Sequence, residues 1–306
     1  MLSDLGYNVF TVPTGQNLIG LNGRLNPNAT MGRSYEYNGE TYYMQADDWQ
    51  DAAYRTALRQ EYTLSANGKM DRGSYYTSVS YLKDDGIIEH SDFKRISARV
   101  RADYQAKKWL KFGANVGYTN SQTQSNANLD NSSYGSVNLF YYTSMIAPIY
   151  PIYVRVLDAN GNPVIRTDDN GNKQYDYGVA STNYGVGRAF LQTGNPLGSN
   201  HYNKVYSRGQ KLSATGTVDV QFTDYLSFNS TNTIDWGHTN GSDYENALYG
   251  PKVGVNGQID KSQTDGFRQN FIQTLNFYKD FDKHSVTALV GHEWYDTQST
   301  YLSAEG

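Results

Sequence analysis

The sequence predicts an all-β protein, an antiparallel portion of a transmembrane β-barrel. Three observations predict it: long segments of period-two alternation, connections that alternate short and long, and aromatic residues gathered at the segment ends. In a strand, successive side chains point to opposite faces, so strict apolar/polar alternation marks a sheet with one greasy and one polar side. The clearest example is "KRISARVRADYQ" at 94–105. Ile96, Ala98, Val100, Ala102 and Tyr104 alternate there with Arg95, Ser97, Arg99, Arg101 and Asp103.

Eight such segments follow one another: 60–68, 74–82, 93–105, 110–122, 208–222, 226–237, 267–278 and 284–297. Most exceed the roughly 5–6 residues of an ordinary soluble strand and match the roughly 9–11 of a bilayer-spanning one. The connections "KMDRG" (69–73), "AKKW" (106–109), "TDY" (223–225) and "KDFDK" (279–283) are tight, whereas 83–92, 123–207 and 238–266 are long. Outer-membrane barrels have this asymmetry, with short periplasmic turns and long extracellular loops.

Leu226, Phe228, Ile234 and Trp236 share one face. At about 3.3 Å per residue and about 40° of tilt, Leu226 to Trp236 spans about 25 Å, the height of a barrel's apolar band. Trp109, Phe222, Tyr225, Phe277 and Tyr278 fall near short turns, and Tyr81, Trp236 and Trp294 lie toward long loops, as two interfacial girdles would. The apolar face is then expected to meet lipid. Arg95, Arg99, Arg101, Asp103, Asp219 and Asp235 are expected to face a roomy or plugged lumen. There they either tune solute passage or contact a plug, without which they would be left unsatisfied. A soluble β-sandwich, with the aromatics filling its core, is the competing pattern.

Composition narrows the function classes. The 306 residues suffice for one large all-β domain or two ordinary ones, with 18% charged, 14% aromatic, 28 tyrosines and no cysteine. Disulfides and thiolate metal sites are excluded. A net charge of −4 gives no reason to expect nucleic acid. No run approaches the roughly 18 apolar residues of a membrane helix. Met1 precedes "LSDLGYNVF", which lacks the basic and apolar regions of a signal peptide.

From "DDWQDAAYRTALRQEYTLSANG" (47–68) through "YYTSVSYLKDDGIIEHSDFKRISARVRADYQAKKWLKFGANVGYTNSQ", the sequence resembles the SusC/RagA-like TonB-linked outer-membrane proteins of Bacteroidetes. "GQNLIGLNGRLNPNATMG" upstream and "TGNPL" (193–197), "TDYLSF" (223–228) and "LVGHEWY" (289–295) downstream fit the same pattern. The resemblance implies a 22-stranded barrel with an N-terminal plug in the Gram-negative outer membrane. It implies TonB-driven import of glycans or oligopeptides and a SusD-like surface lipoprotein as lid. About eight strands of such a barrel are present, so an internal fragment is expected, with the TonB-contacting region elsewhere.

The expected organisation is an extracellular loop segment with a short helix (1–59), four barrel strands (60–122) and a long extracellular loop with a hairpin insertion (123–207). Four more strands (208–297) and the start of another extracellular loop (298–306) complete it. The alternatives are a soluble cell-surface binding or adhesion module and, behind it, a secreted glycoside-active enzyme.

Within the long loop, "NLFYYTSMIAPIYPIY" (138–153) offers Tyr141, Tyr142, Tyr150 and Tyr153. Exposed tyrosines can stack on sugar rings, and they can equally pack the loop. The Asn-Gly steps at 160–161 and 170–171 predict type I′ turns; a Ca²⁺ loop from Asp158, Asn160, Asp168, Asp169 and Asn170 would lack the spaced glutamate of an EF-hand. Asp47, Asp48 and Asp51 flank Trp49. Asp47 or Asp48 is expected to cap a short helix rather than form an acid/base pair, with Trp49 as a packing anchor. The five histidines show no i, i+4 pair, and no catalytic fingerprint is found, so no catalysis and no cofactor are expected.

Overall fold

The computed structural model describes residues 8–125, 138–179, 187–191, 194–248 and 252–306. Short strands β1 (Phe10–Thr11) and β2 (Thr30–Met31) pair with each other. β3 (Arg33–Tyr37) and β4 (Glu40–Met44) form a hairpin, and helix α1 (Trp49–Ala53) follows. Four long strands come next: β5 (Arg59–Met70), β6 (Gly73–Asp85), β7 (Asp92–Lys107) and β8 (Leu110–Ser125). The segment expected as a long loop lies partly outside the described residues. It carries α2 (Leu139–Met145), β9 (Arg155–Leu157), β10 (Pro163–Ile165) and α3 (Pro196–Tyr202). Then come β11 (Lys204–Thr223), β12 (Leu226–Glu245), β13 (Gln258–Phe281) and β14 (His284–Glu305).

The eight long strands form one antiparallel sheet, in the order β14-β13-β12-β11-β8-β7-β6-β5. The four tight connections shrink to the two-residue turns 71–72, 108–109, 224–225 and 282–283. All eight expected strands form, and all run further at the long-loop end than the alternation suggests, six of them by three residues or more. β13 has 24 residues and β14 has 22. The connection expected at 238–266 is therefore only 246–257. Residues 298–305, expected to begin a loop, continue β14. The extensions alternate poorly because most side chains on both of their faces are polar, with Tyr244, Ile259, Tyr301 and Leu302 among the exceptions, so backbone ladder bonds carry them.

Register aligns the eight strands into rows. One row reads Leu64–Val79–Ala98–Tyr118–Leu212–Trp236–Phe267 across β5 to β13. The opposite face carries Ser78–Arg99–Gly117–Ser213–Asp235–Arg268 in one row. A one-residue slip anywhere would put a charge among the apolar side chains, so the pattern fixes the pairing. No described layer packs onto the apolar face: Leu64 is 79% exposed and Val100 55%. A sandwich would cover these residues with a second sheet, so the sandwich expectation fails on this geometry.

Polar residues interrupt the apolar face toward β13 and β14, where Gln269 and Asp296 stand across from Ile234. Ser230, Gln273 and His292 are direct cross-strand partners on that face. Asn232 donates to Ser230 Oγ at 3.0 Å, and His292 Nδ1 lies 3.0 Å from Gln273 Oε1, so these polar groups bond one another.

Candidate functional site: the polar face and the loop unit

The six charged residues singled out in the sequence share the polar face, because all keep one parity in the register. Each has a partner within the sheet, although Arg95 Nε is buried without a hydrogen bond. Arg99 donates to Asn115 Oδ1 at 2.9 Å, and Asn229 donates to Asp219 at 2.8 Å. Arg101 lies 3.5 Å from Asp103, which Lys111 approaches to 3.9 Å, and Arg95 lies 3.5 Å from Glu61. Arg268 donates from Nε to Asp235 at 2.9 Å and makes a second contact through Nη2. Cross-strand neighbours on one face sit about 5 Å apart, which puts opposite charges within reach. Glu61, Lys111 and Arg268 are members of this set that sequence reasoning missed. Arg268 is 33 residues from Asp235, and only the register makes them neighbours. A groove of about 610 Å³ opens on this face beside Asn67, Tyr76, Arg99, Arg101 and Asp103.

The second feature is a folded unit built from the loops. β3 and β4 join β9 and β10 in a four-stranded sheet, so 33–44 and the distant 155–165 fold together. Its core is Val9, Tyr42, Met44, Trp49, Tyr142, Ile146, Tyr150, Ile152, Val154, Tyr175 and Tyr177. Asp48 caps α1 by accepting from the amides of Gln50 and Asp51. Asp47 does not cap. It accepts from Arg155 through both oxygens, at 3.0 and 2.7 Å, and from the Ile152 amide at 2.7 Å. Trp49 is the expected anchor: it is buried, and its Nε1 donates to the Tyr150 carbonyl at 2.9 Å.

The four loop tyrosines separate. Tyr142 and Tyr150 are fully buried, so neither presents a face to a sugar; they pack the loop instead. Tyr142 donates its hydroxyl to the Gly194 carbonyl at 2.6 Å, and burial holds that hydroxyl well above the ordinary tyrosine range. Arg188, also fully buried, sits 5.7–5.9 Å from the ring centres of Trp49, Tyr142 and Tyr150. The negative ring faces partly compensate its lost hydration, and its Nη2 donates to the carbonyls of Asp176 and Gly194. Tyr153 is half-buried against the Tyr175 ring at 5.0 Å, with the Lys173 amine 5.6 Å from its centre. Tyr141 is half-buried on α2.

The two Asn-Gly steps do make turns, but not of type I′. That type needs positive φ at both central residues. Here Gly161 and Gly171 have φ of 79° and 80°, whereas Asn160 and Asn170 do not enter the positive region. Each turn is a type I turn closed by a glycine bulge. Gly161 donates to the Asp158 carbonyl, and the Asp158 amide donates to Asn162. "DANGN" and "DDNGN" repeat this device ten residues apart. The Asp158 carboxylate accepts from the Asn160 and Asn162 amides, and Asp168 accepts from those of Asn170 and Asn172. Amide donors thus tie both carboxylates into their own turns.

Sequence reasoning also missed a cluster at the junction of the unit with the sheet. Glu89, His90 and His201 meet there, from the β6–β7 connection and the end of α3. Among the described residues no helix is long and apolar enough to cross a membrane, which does not bear on strands.

No family model matches the chain. It is 26% identical over 259 residues to TonB-dependent receptor P39 of Formosa agariphila, covering 81% of this chain and 21% of that protein. It is 35% identical over 78 residues to TonB-dependent receptor SusC of Bacteroides thetaiotaomicron, covering 25% of this chain and 8% of SusC. The chain is related to the SusC/RagA-like TonB-dependent receptors. The solved RagAB peptide transporter superposes with a TM-score of 0.63 at 20% identity, over 85% of this chain and 26% of that one. The RagAB peptide importer in its open-open state gives 0.63 over 90% and 27%. At that identity the likeness shows the fold: the sheet is an open portion of a TonB-dependent-receptor barrel. The chain spans about a fifth of P39 and about a quarter of the solved chains.

Proposed function

We propose that this chain is wall and outer loops of a TonB-dependent outer-membrane importer, working with a SusD-like lipoprotein on glycans or oligopeptides. The carrying observation is the register. It segregates a bare apolar face from a charged one over eight strands, which suits lipid on one side and a wet lumen on the other. The strands continue past Trp236 and Trp294, so their polar ends would stand outside the bilayer and carry the loop unit. The solved relatives are described as a peptide transporter and importer, which favours oligopeptides. Tyr141 and Tyr153 remain candidate cargo contacts. No step of this role requires catalysis.

The 306 residues contain no cysteine, so cysteines introduced into them give a direct test, with the unsubstituted protein as labelling background. Val100→Cys and Arg99→Cys are compared in intact outer membranes with a water-soluble maleimide. Labelling of position 99 and protection of position 100 is the expected result. Equal labelling of both would overturn the lipid and lumen assignment. Uptake of labelled oligopeptides against labelled oligosaccharides then decides the cargo class.

A further inference from the structure

We propose that Glu89, His90 and His201 form a binding site for a divalent transition metal of the zinc class. The site would pin the end of the long loop to the β6–β7 connection.

The first argument is convergence. One donor atom from each of the three residues lies within 4.8 Å of the others. His90 Nε2 is 3.5 Å from Glu89 Oε1, and His201 Nδ1 is 3.9 Å from Glu89 Oε2. Metal bonds of about 2.0–2.2 Å in a tetrahedron put neighbouring donors about 3.3–3.5 Å apart, so small rotamer adjustments complete the geometry.

The second argument is an orphan atom. His90 Nε2 is buried and makes no hydrogen bond. A buried polar nitrogen without a partner costs free energy, and a metal ion would remove that cost.

The third argument is scaffold. Ile88 is buried against Ala53 and Leu139 beside the site, and Ser91 donates its hydroxyl back to the Ile88 carbonyl. Asn200 donates to the Glu89 carbonyl at 2.8 Å, tying α3 to the connection without using the carboxylate. The His201 ring is flanked by Tyr175 at 6.0 Å and Tyr202 at 5.0 Å, which limit its rotation.

Two imidazoles and one carboxylate are a borderline donor set that suits Zn²⁺ better than Ca²⁺ or Mg²⁺. Three protein ligands leave a fourth position for water or an incoming group, and Glu89 is exposed enough for that position to open to solvent. Both histidines must be neutral to bind, so acid would release the ion.

The test uses the full-length membrane protein that carries this chain, in detergent, stripped by chelation and titrated with ZnCl₂ alone by calorimetry. One equivalent should bind at about pH 7.5 and be lost at about pH 5, below the ordinary histidine pKa. His90→Ala and His201→Gln should each weaken it at least about tenfold, because even outer-shell changes at metal sites cost that much. His284→Ala, at the short-turn end of β14, should leave binding unchanged. Zinc-edge absorption should show two nitrogen neighbours at about 2.0–2.1 Å. To separate ligand loss from misfolding, His201→Gln should retain the wild-type heat-modified mobility and tryptophan emission. Absence of binding in the wild type, or binding indifferent to both His90→Ala and His201→Gln, would overturn the proposal.

Discussion

Gly161 and Gly171 show how one residue sets a local structure. Each sits in the left-handed region with nothing within 4 Å of where a Cβ would stand, so substitution meets backbone strain and not a clash. Gly161→Ala is expected to cost about 1 kcal/mol, and Gly161→Asn less, because Asn tolerates that region. Hydrogen exchange at the Asn162 amide would show the difference. The neighbouring carboxylates carry a pH dependence. Hydrogen bonds with Asn162, led by its amide, depress the Asp158 pKa, and those with Asn172, led by its side-chain amide, depress that of Asp168. Their contribution is complete above the unfolded value of about 3.9 and is lost as pH falls through the lower folded value. The Asn162 and Asn172 amides should therefore stay protected at pH 5 and exchange faster only in stronger acid. Protection that fades between pH 6 and pH 5 would contradict this.

At the scale of elements, the loop unit depends on contacts between distant segments. Trp49 touches Tyr142, with ring centres 5.0 Å apart, and bonds Tyr150. Trp49→Ala is expected to cost about 3–5 kcal/mol of the unit's stability. Proteolysis of the unit should accelerate while the long strands stay protected. Asp47→Ala would leave Arg155 mostly buried without its partner, a loss of about 3 kcal/mol, and Asp47→Asn should recover part of it. Little of this unit was legible beforehand. The short helix, its aspartate cap and the anchoring Trp49 follow from local chemistry, and the structure bears them out. The fate of Tyr142 and Tyr150 does not, because a tyrosine-rich run reads alike whether its rings meet cargo or each other. The meeting of Glu89 and His90 with His201 was unreadable for a related reason: the fold, and not their spacing in the chain, brings them together.

For the whole molecule, alternation made the strands legible, and it fails where its cause fails. Period two appears only where the two faces meet different surroundings. Thr239 to Glu245 and Gln258 to Gly266 present polar groups on both sides, so they read as loop while the ladder runs on through them. On the apolar face, Val100→Arg should cost about 2–4 kcal/mol near mid-bilayer, whereas Thr217→Arg on the opposite face, between Gly113 and Thr231, should be nearly neutral. Refolding into lipid vesicles under urea titration measures both, and equal penalties would argue against two distinct environments.

The order of strands in the sheet also bears on kinetics. Every long strand pairs with its neighbour in the chain, and most of these pairings need only a short connection to close. The seam between β8 and β11 is different, since residues 126–203 intervene. Closing that span as a flexible coil costs about 3 kcal/mol more than closing a two-residue turn. If the loop unit folds first, it shortens the effective span and brings Lys204 back toward Ser125. Two four-stranded blocks would then form early and zip together last, at a rate set by the loops rather than by the strands. A weakened loop core, as in Trp49→Ala, would show itself as slow completion of a sheet whose own residues are untouched.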